Sequence, residues 1–133
     1  MEELEKAINR YKSVAETANV ETLLKMKDYF IGMLYYHGQM EADWSKVSQG
    51  LEMEHDKIKS ETFVFLRKSG TTEKMADQEA RLAAVEKHYE VISALHEYKT
   101  HRSAKETISK IIDAISQRVS IIRREGEFNQ FIK

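Results

Sequence analysis

The sequence predicts an all-α protein: a long helical hairpin whose antiparallel, coiled-coil-like arms turn near Gly70, with a short leading helix, assembling with copies of itself. Three observations predict it. Proline is absent and only five glycines punctuate 133 residues, so helix breakers are scarce. Every seventh residue from position 23 reads Leu23, Phe30, His37, Trp44, Leu51, Ile58 and Phe65, a coiled-coil seam sustained over six heptads. The composition, 41% apolar and 32% charged, suits helices with one buried stripe and polar remaining faces. A seam that long cannot bury itself, so it calls for a returning helix, another subunit, or both.

Taken in order, the elements form a single all-helical domain over 1–133. The leading helix, about 2–18, places Leu4, Ala7, Ile8, Tyr11, Val14, Ala15 and Ala18 at three- and four-residue steps on one face. Asn19 is the expected stop, and then the cap of a second helix over about 21–68 with Glu21 in its first turn. In that helix Met26, Met33, Met40 and Val47 follow the heptad row by three residues. The matching later positions are Glu54, Glu61 and Lys68, so the seam weakens toward its end.

The turn falls at 69–72, where Gly70 ends one helix and Thr71 or Thr72 caps the next. A helix over about 73–124 follows, with Met75, Leu82, Val85, Tyr89, Ile92 and Leu95 as its expected stripe. Residues 96–107 carry almost no stripe, and Ile108, Ile111, Ile112, Ile115, Val119 and Ile122 resume it. The tail, 125–133, is expected to be looser, with Phe128, Phe131 and Ile132 apolar beyond Gly126. Ile108, Ile111, Ile115, Val119, Ile122 and Phe128 are the expected oligomer interface.

The pattern argues against an enzyme. There is no strand pattern to carry a glycine-rich phosphate loop, and the absence of cysteine excludes disulfides and thiolate metal sites and fits a reducing cytosol. Glu52-x-x-His55 has the spacing that helical di-iron bundles use twice, but the residues three before His88, His96 and His101 are Val85, Ser93 and Tyr98. No metal and no cofactor are expected. His37, on an apolar row, reads as a polar residue that sets register. The longest uncharged run, residues 29–40, has 12 residues, short of the roughly 18 that a membrane span needs. A cytoplasmic protein is the expectation.

Charge is segregated. The chain is formally −1, yet residues 57–74 hold five cations against two acids and residues 99–124 seven against two. Residues 1–56 carry eleven acids and six cations. A basic surface on a near-neutral protein reads as an anion-binding face. Lys57, Lys59, Phe63, Arg67, Lys68 and Lys74 are the expected nucleic-acid residues. Phe65 lies on the heptad row and is expected in the core, whereas Phe63 is off it and is the expected stacking residue. Arg67 and Lys68 equally suit the negative end of the helix dipole.

The order of parts is a long helix, a basic and aromatic helix end, a Ser69-Gly70 turn, "TTEKMADQEARL", and a continuous tail containing Asp113, Ala114, Ile115 and Arg118. Over residues 28–125 it resembles the bacteriophage recombination mediator proteins of the UvsY type. That resemblance implies a non-enzymatic homo-oligomeric ring that binds single-stranded DNA. Its role would be to load a RecA-like recombinase onto DNA coated by a single-strand-binding protein, in the host cytoplasm. It also implies that Lys57, Lys59, Arg67 and Lys68 fall in the family's DNA-contact stretch. The alternative is a helical protein-interaction module, a phage scaffold or an inhibitor of a host protein, without DNA binding.

Overall fold

The computed structural model describes the backbone of residues 1–132 and the side chains of residues 1–130. Lys133 and the side chains of Phe131 and Ile132 lie outside the described residues. The chain is all-α: α1 (Glu2–Val14), α2 (Val20–Lys68), α3 (Glu73–Ala83) and α4 (Val85–Ile132). Its contacts divide into two compact units, one of Met1–Gln39 with His101–Lys133 and one of Met40–Thr100.

The first unit is a three-helix core. Leu4 from α1 meets Leu23 and Phe30 from α2 and Ala104, Ile108, Ile115 and Val119 from α4. Tyr11 meets the Phe30 ring edge-on, their centroids 6.2 Å apart. α1 ends at Val14 rather than near 18, because the chain turns over 15–17, and Arg118 Nη2 donates to the Glu16 carbonyl at 3.2 Å. Asn19 then caps α2, its Oδ1 accepting from the Thr22 amide at 2.8 Å.

Two histidines complete this core. His37 and His101 are both buried, and their Nδ1 atoms lie 2.8 Å apart, so one ring donates and the other accepts. Burial, then His101, then the amino terminus hold the His37 pKa below its usual value. The stretch 96–107 is therefore not without a seam. His101 and Ala104 continue the three- and four-residue spacing that leads to Ile108 and Ile115.

Three residues of the expected oligomer interface are corrected here. Ile108 and Ile115 are fully buried and Val119 nearly so, within the chain's own core, while Ile111 and Ile122 pack partly against it. Of the six, Phe128 alone is largely exposed. The error has a simple cause: a regular apolar stripe marks burial without saying whose surface buries it.

The second unit packs small residues. Ala76, Ala80 and Ala84 are fully buried and Ala94 nearly so, with Val91 and Ser48 also buried. Within this unit Lys87 of α4 pairs with Glu54 of α2 at 2.9 Å and with Glu90 at 3.0 Å. The expected stripe of Met75, Leu82, Val85, Tyr89 and Ile92 faces outward instead. Alanines at four-residue steps allow a closer approach than bulky side chains would, and the large residues are left on the opposite side.

The helix expected over 73–124 is also divided at Ala84, where φ is −94° and ψ is 0°. No glycine or proline marks the break. Ala84 is fully buried. Beyond Gly126, α4 continues as helix to Ile132, where a loose tail was expected.

Candidate nucleic-acid interface

The candidate surface lies in the second unit, at the end of α2 and the start of α3. α2 stops by a backbone motif: the Thr71 amide donates to Leu66 O at 3.0 Å and the Gly70 amide to Arg67 O at 3.2 Å. These are the paired bonds of a Schellman ending, and they require a left-handed residue between them. Gly70 supplies it with φ of 91°. Arg67 Nη1 also donates to the Thr71 carbonyl at 3.2 Å. Thr72 then caps α3, its hydroxyl accepting from the Met75 amide at 3.4 Å.

The six expected residues divide into two groups. Lys57, Arg67, Lys68 and Lys74 are exposed. Lys59 and Phe63 are half-buried and line a groove with Asp56, Ser60, Asp77 and Ala80, so two carboxylates lie beside Lys59. Lys57 also has an acid nearby, Glu61 at 4.0 Å. The outward surface is thus cationic at its helix ends and mixed along its flank.

The two phenylalanines depart from their expected exposures. Phe65 is 69% exposed, whereas Phe63 turns toward α3. The reason is the helix itself. A strict seven-residue row drifts by about 20° per heptad on a straight α-helix, hence about 120° over six heptads. Leu23, Phe30 and His37 are accordingly buried, Trp44, Leu51 and Ile58 half-buried, and Phe65 exposed. Lys57, Glu61, Val64 and Lys68, spaced 4, 3 and 4 residues apart, share one outward face with Phe65 at its edge. The Glu61 carboxylate lies between Lys57 and Phe65. An exposed aromatic ring near cations such as Lys68 can stack a base while the cations neutralise phosphates.

Among the described residues, no group of three or more His, Cys, Asp or Glu is placed to hold a metal ion. No described helix is long and apolar enough to cross a membrane. No protein-family model matches the chain, and no curated protein or solved structure matches it either.

Proposed function

We propose that the chain is a single-stranded DNA-binding recombination mediator, a binder and not a catalyst, that helps load a RecA-like recombinase onto DNA held by a single-strand-binding protein. The observation that carries this reading is the outward face at the end of α2, where Phe65 is 69% exposed with Lys68 three residues on, while Lys57 shares the face with Glu61 at 4.0 Å. Arg67 lies beside that face and Lys74 follows in the first turn of α3. The resemblance to phage recombination mediators supplies the biological role and the setting, a phage-infected cytoplasm. The reading includes the antiparallel helical hairpin and association into a homo-oligomer. Association repeats a small basic patch and raises avidity without new contacts.

Fluorescence anisotropy with a single-stranded oligonucleotide across a salt series tests it. Binding should be largely independent of base sequence and weaken steeply with salt, as phosphate neutralisation demands. Joint substitution Lys57→Ala, Arg67→Ala and Lys68→Ala should abolish binding near physiological salt, and Phe65→Ala should weaken it by roughly tenfold if one base stacks. No binding at low salt would overturn the reading. A helical protein-interaction module without DNA binding would then stand in its place, favoured by the outward apolar stripe of α3 and α4.

A further inference from the structure

The outward stripe of the second unit has a definite register. Met75, Leu82 and Tyr89 recur every seven residues, and Val85 and Ile92 follow the last two by three. They are 54%, 70%, 66%, 37% and 50% exposed, in that order. These are the a and d positions of a heptad seam with no helix laid against it. The chain's own packing uses the opposite face, where Ala76, Ala80 and Ala84 are fully buried. The departure from helix at Ala84 falls at a c position, on that inner side.

The residues flanking the seam carry an ordered charge pattern. Lys74 and Arg81 occupy the first two g positions, and Glu79 and Glu86 the first two e positions, all four exposed. The third g and e residues are His88, which packs against His55 of α2 at 5.9 Å, and Ser93. In a parallel pair of helices a g residue faces the e residue five places later on the partner. Here that sets Lys74 against Glu79 and Arg81 against Glu86, opposite charges in both cases, twice over by symmetry. An antiparallel pair would set g against g and e against e, bringing like charges together. Arg81 already pairs with Asp77 of its own helix at 3.1 Å, with its side chain 69% exposed, so it is presented at the edge of the seam.

We propose that this face of α3 and the start of α4 is a homotypic docking surface, whose occupant is the same face of a second copy of this chain in parallel alignment. The contact is isologous, each copy giving and receiving the same residues. An isologous contact closes at two copies, so the inference makes the homo-oligomer of the functional reading a dimer and not the ring that the resemblance implies, and it stands whether or not the chain binds DNA.

The test uses the full chain. Gln78 sits at a d position and the sequence has no cysteine, so Gln78→Cys introduces a unique thiol. Under mild oxidation it should form a disulfide with its own copy, as parallel alignment requires. Failure to cross-link while the chain is dimeric overturns the parallel register. Arg81→Glu and Glu86→Arg should each weaken self-association on the order of tenfold, because both symmetric pairs turn from attraction to repulsion. Mixing the two variants should restore a dimer containing one of each. If neither substitution alters the dissociation constant, or the mixture does not recover, the charge register is wrong. Leu82→Asp should abolish association while leaving helicity unchanged. A wild-type chain that stays single at all concentrations overturns the proposal. Lys74 belongs to both this surface and the basic one and is left unchanged, so loss of the dimer and loss of DNA binding are read separately.

Discussion

The two units solve the same problem in opposite ways. The first buries its large side chains, with Leu23, Phe30, Ile108 and Ile115 at or near zero exposure. The second buries alanines and leaves Leu82, Tyr89 and Phe65 more than half exposed. Both contain helices with regular apolar periodicity. The first closes its large aliphatic residues into a core, though it leaves Tyr35 and Phe128 exposed, whereas the second leaves the large residues of its α3–α4 stripe outside. Periodicity alone therefore identifies a helix and a face, and side-chain size on the opposite face decides whether that stripe turns inward.

The largest effect should separate the units directly. Ile115→Ala empties part of a sealed core and should destabilise the protomer by about 2–5 kcal/mol. Leu82→Ala removes an exposed side chain and should change protomer stability by no more than about 0.5 kcal/mol. Urea denaturation at concentrations below dimer formation measures both. Similar losses for the two variants would break the contrast. Next in size is Gly70→Ala, which forces a side chain into the left-handed conformation and should cost about 1–2 kcal/mol. Nothing lies within 4 Å of an added Cβ there, so the cost is backbone strain and not a clash. A neutral result in the same denaturation assay would contradict the Schellman ending.

The last prediction belongs to the first unit and depends on pH. Burial holds the His37 pKa below its usual 6.5, with His101 and the amino terminus adding to it. Just below pH 6.5 the unfolded chain therefore binds a proton that the folded chain refuses. Stability from this group is full above about pH 6.5 and is lost as the pH falls beneath it. Urea midpoints should decline from pH 7.5 to 5.5, and the decline should flatten when His37 and His101 are both replaced by phenylalanine. An equal decline in that double variant would remove the histidine pair as the cause.

Much of the local structure was legible in the residues. Asn19, Gly70 and Thr72 state where helices begin and end because their chemistry is local. The early heptad row reads correctly through Leu23, Phe30 and His37. It misleads at Phe65 because the drift of a straight helix accumulates with distance from the core. His101 was missed since a histidine and an alanine do not register as a stripe, although His101, Ala104, Ile108 and Ile115 keep seam spacing. The outward turn of Met75 to Ile92 was hidden for a related reason. Alanines score weakly beside leucine and tyrosine, yet their small size is what lets helices approach. The g and e charges were visible all along, but they acquire meaning only when the seam beside them is found uncovered.

The most direct test is the mass of the chain in solution. Light scattering on a dilution series should give about twice the 15.5 kDa of one chain at high concentration, falling toward one chain on dilution. Leu82→Asp should remain at one chain throughout. A wild-type protein that holds the mass of a single chain at every concentration, with Leu82 and Tyr89 left in solvent, would contradict the account.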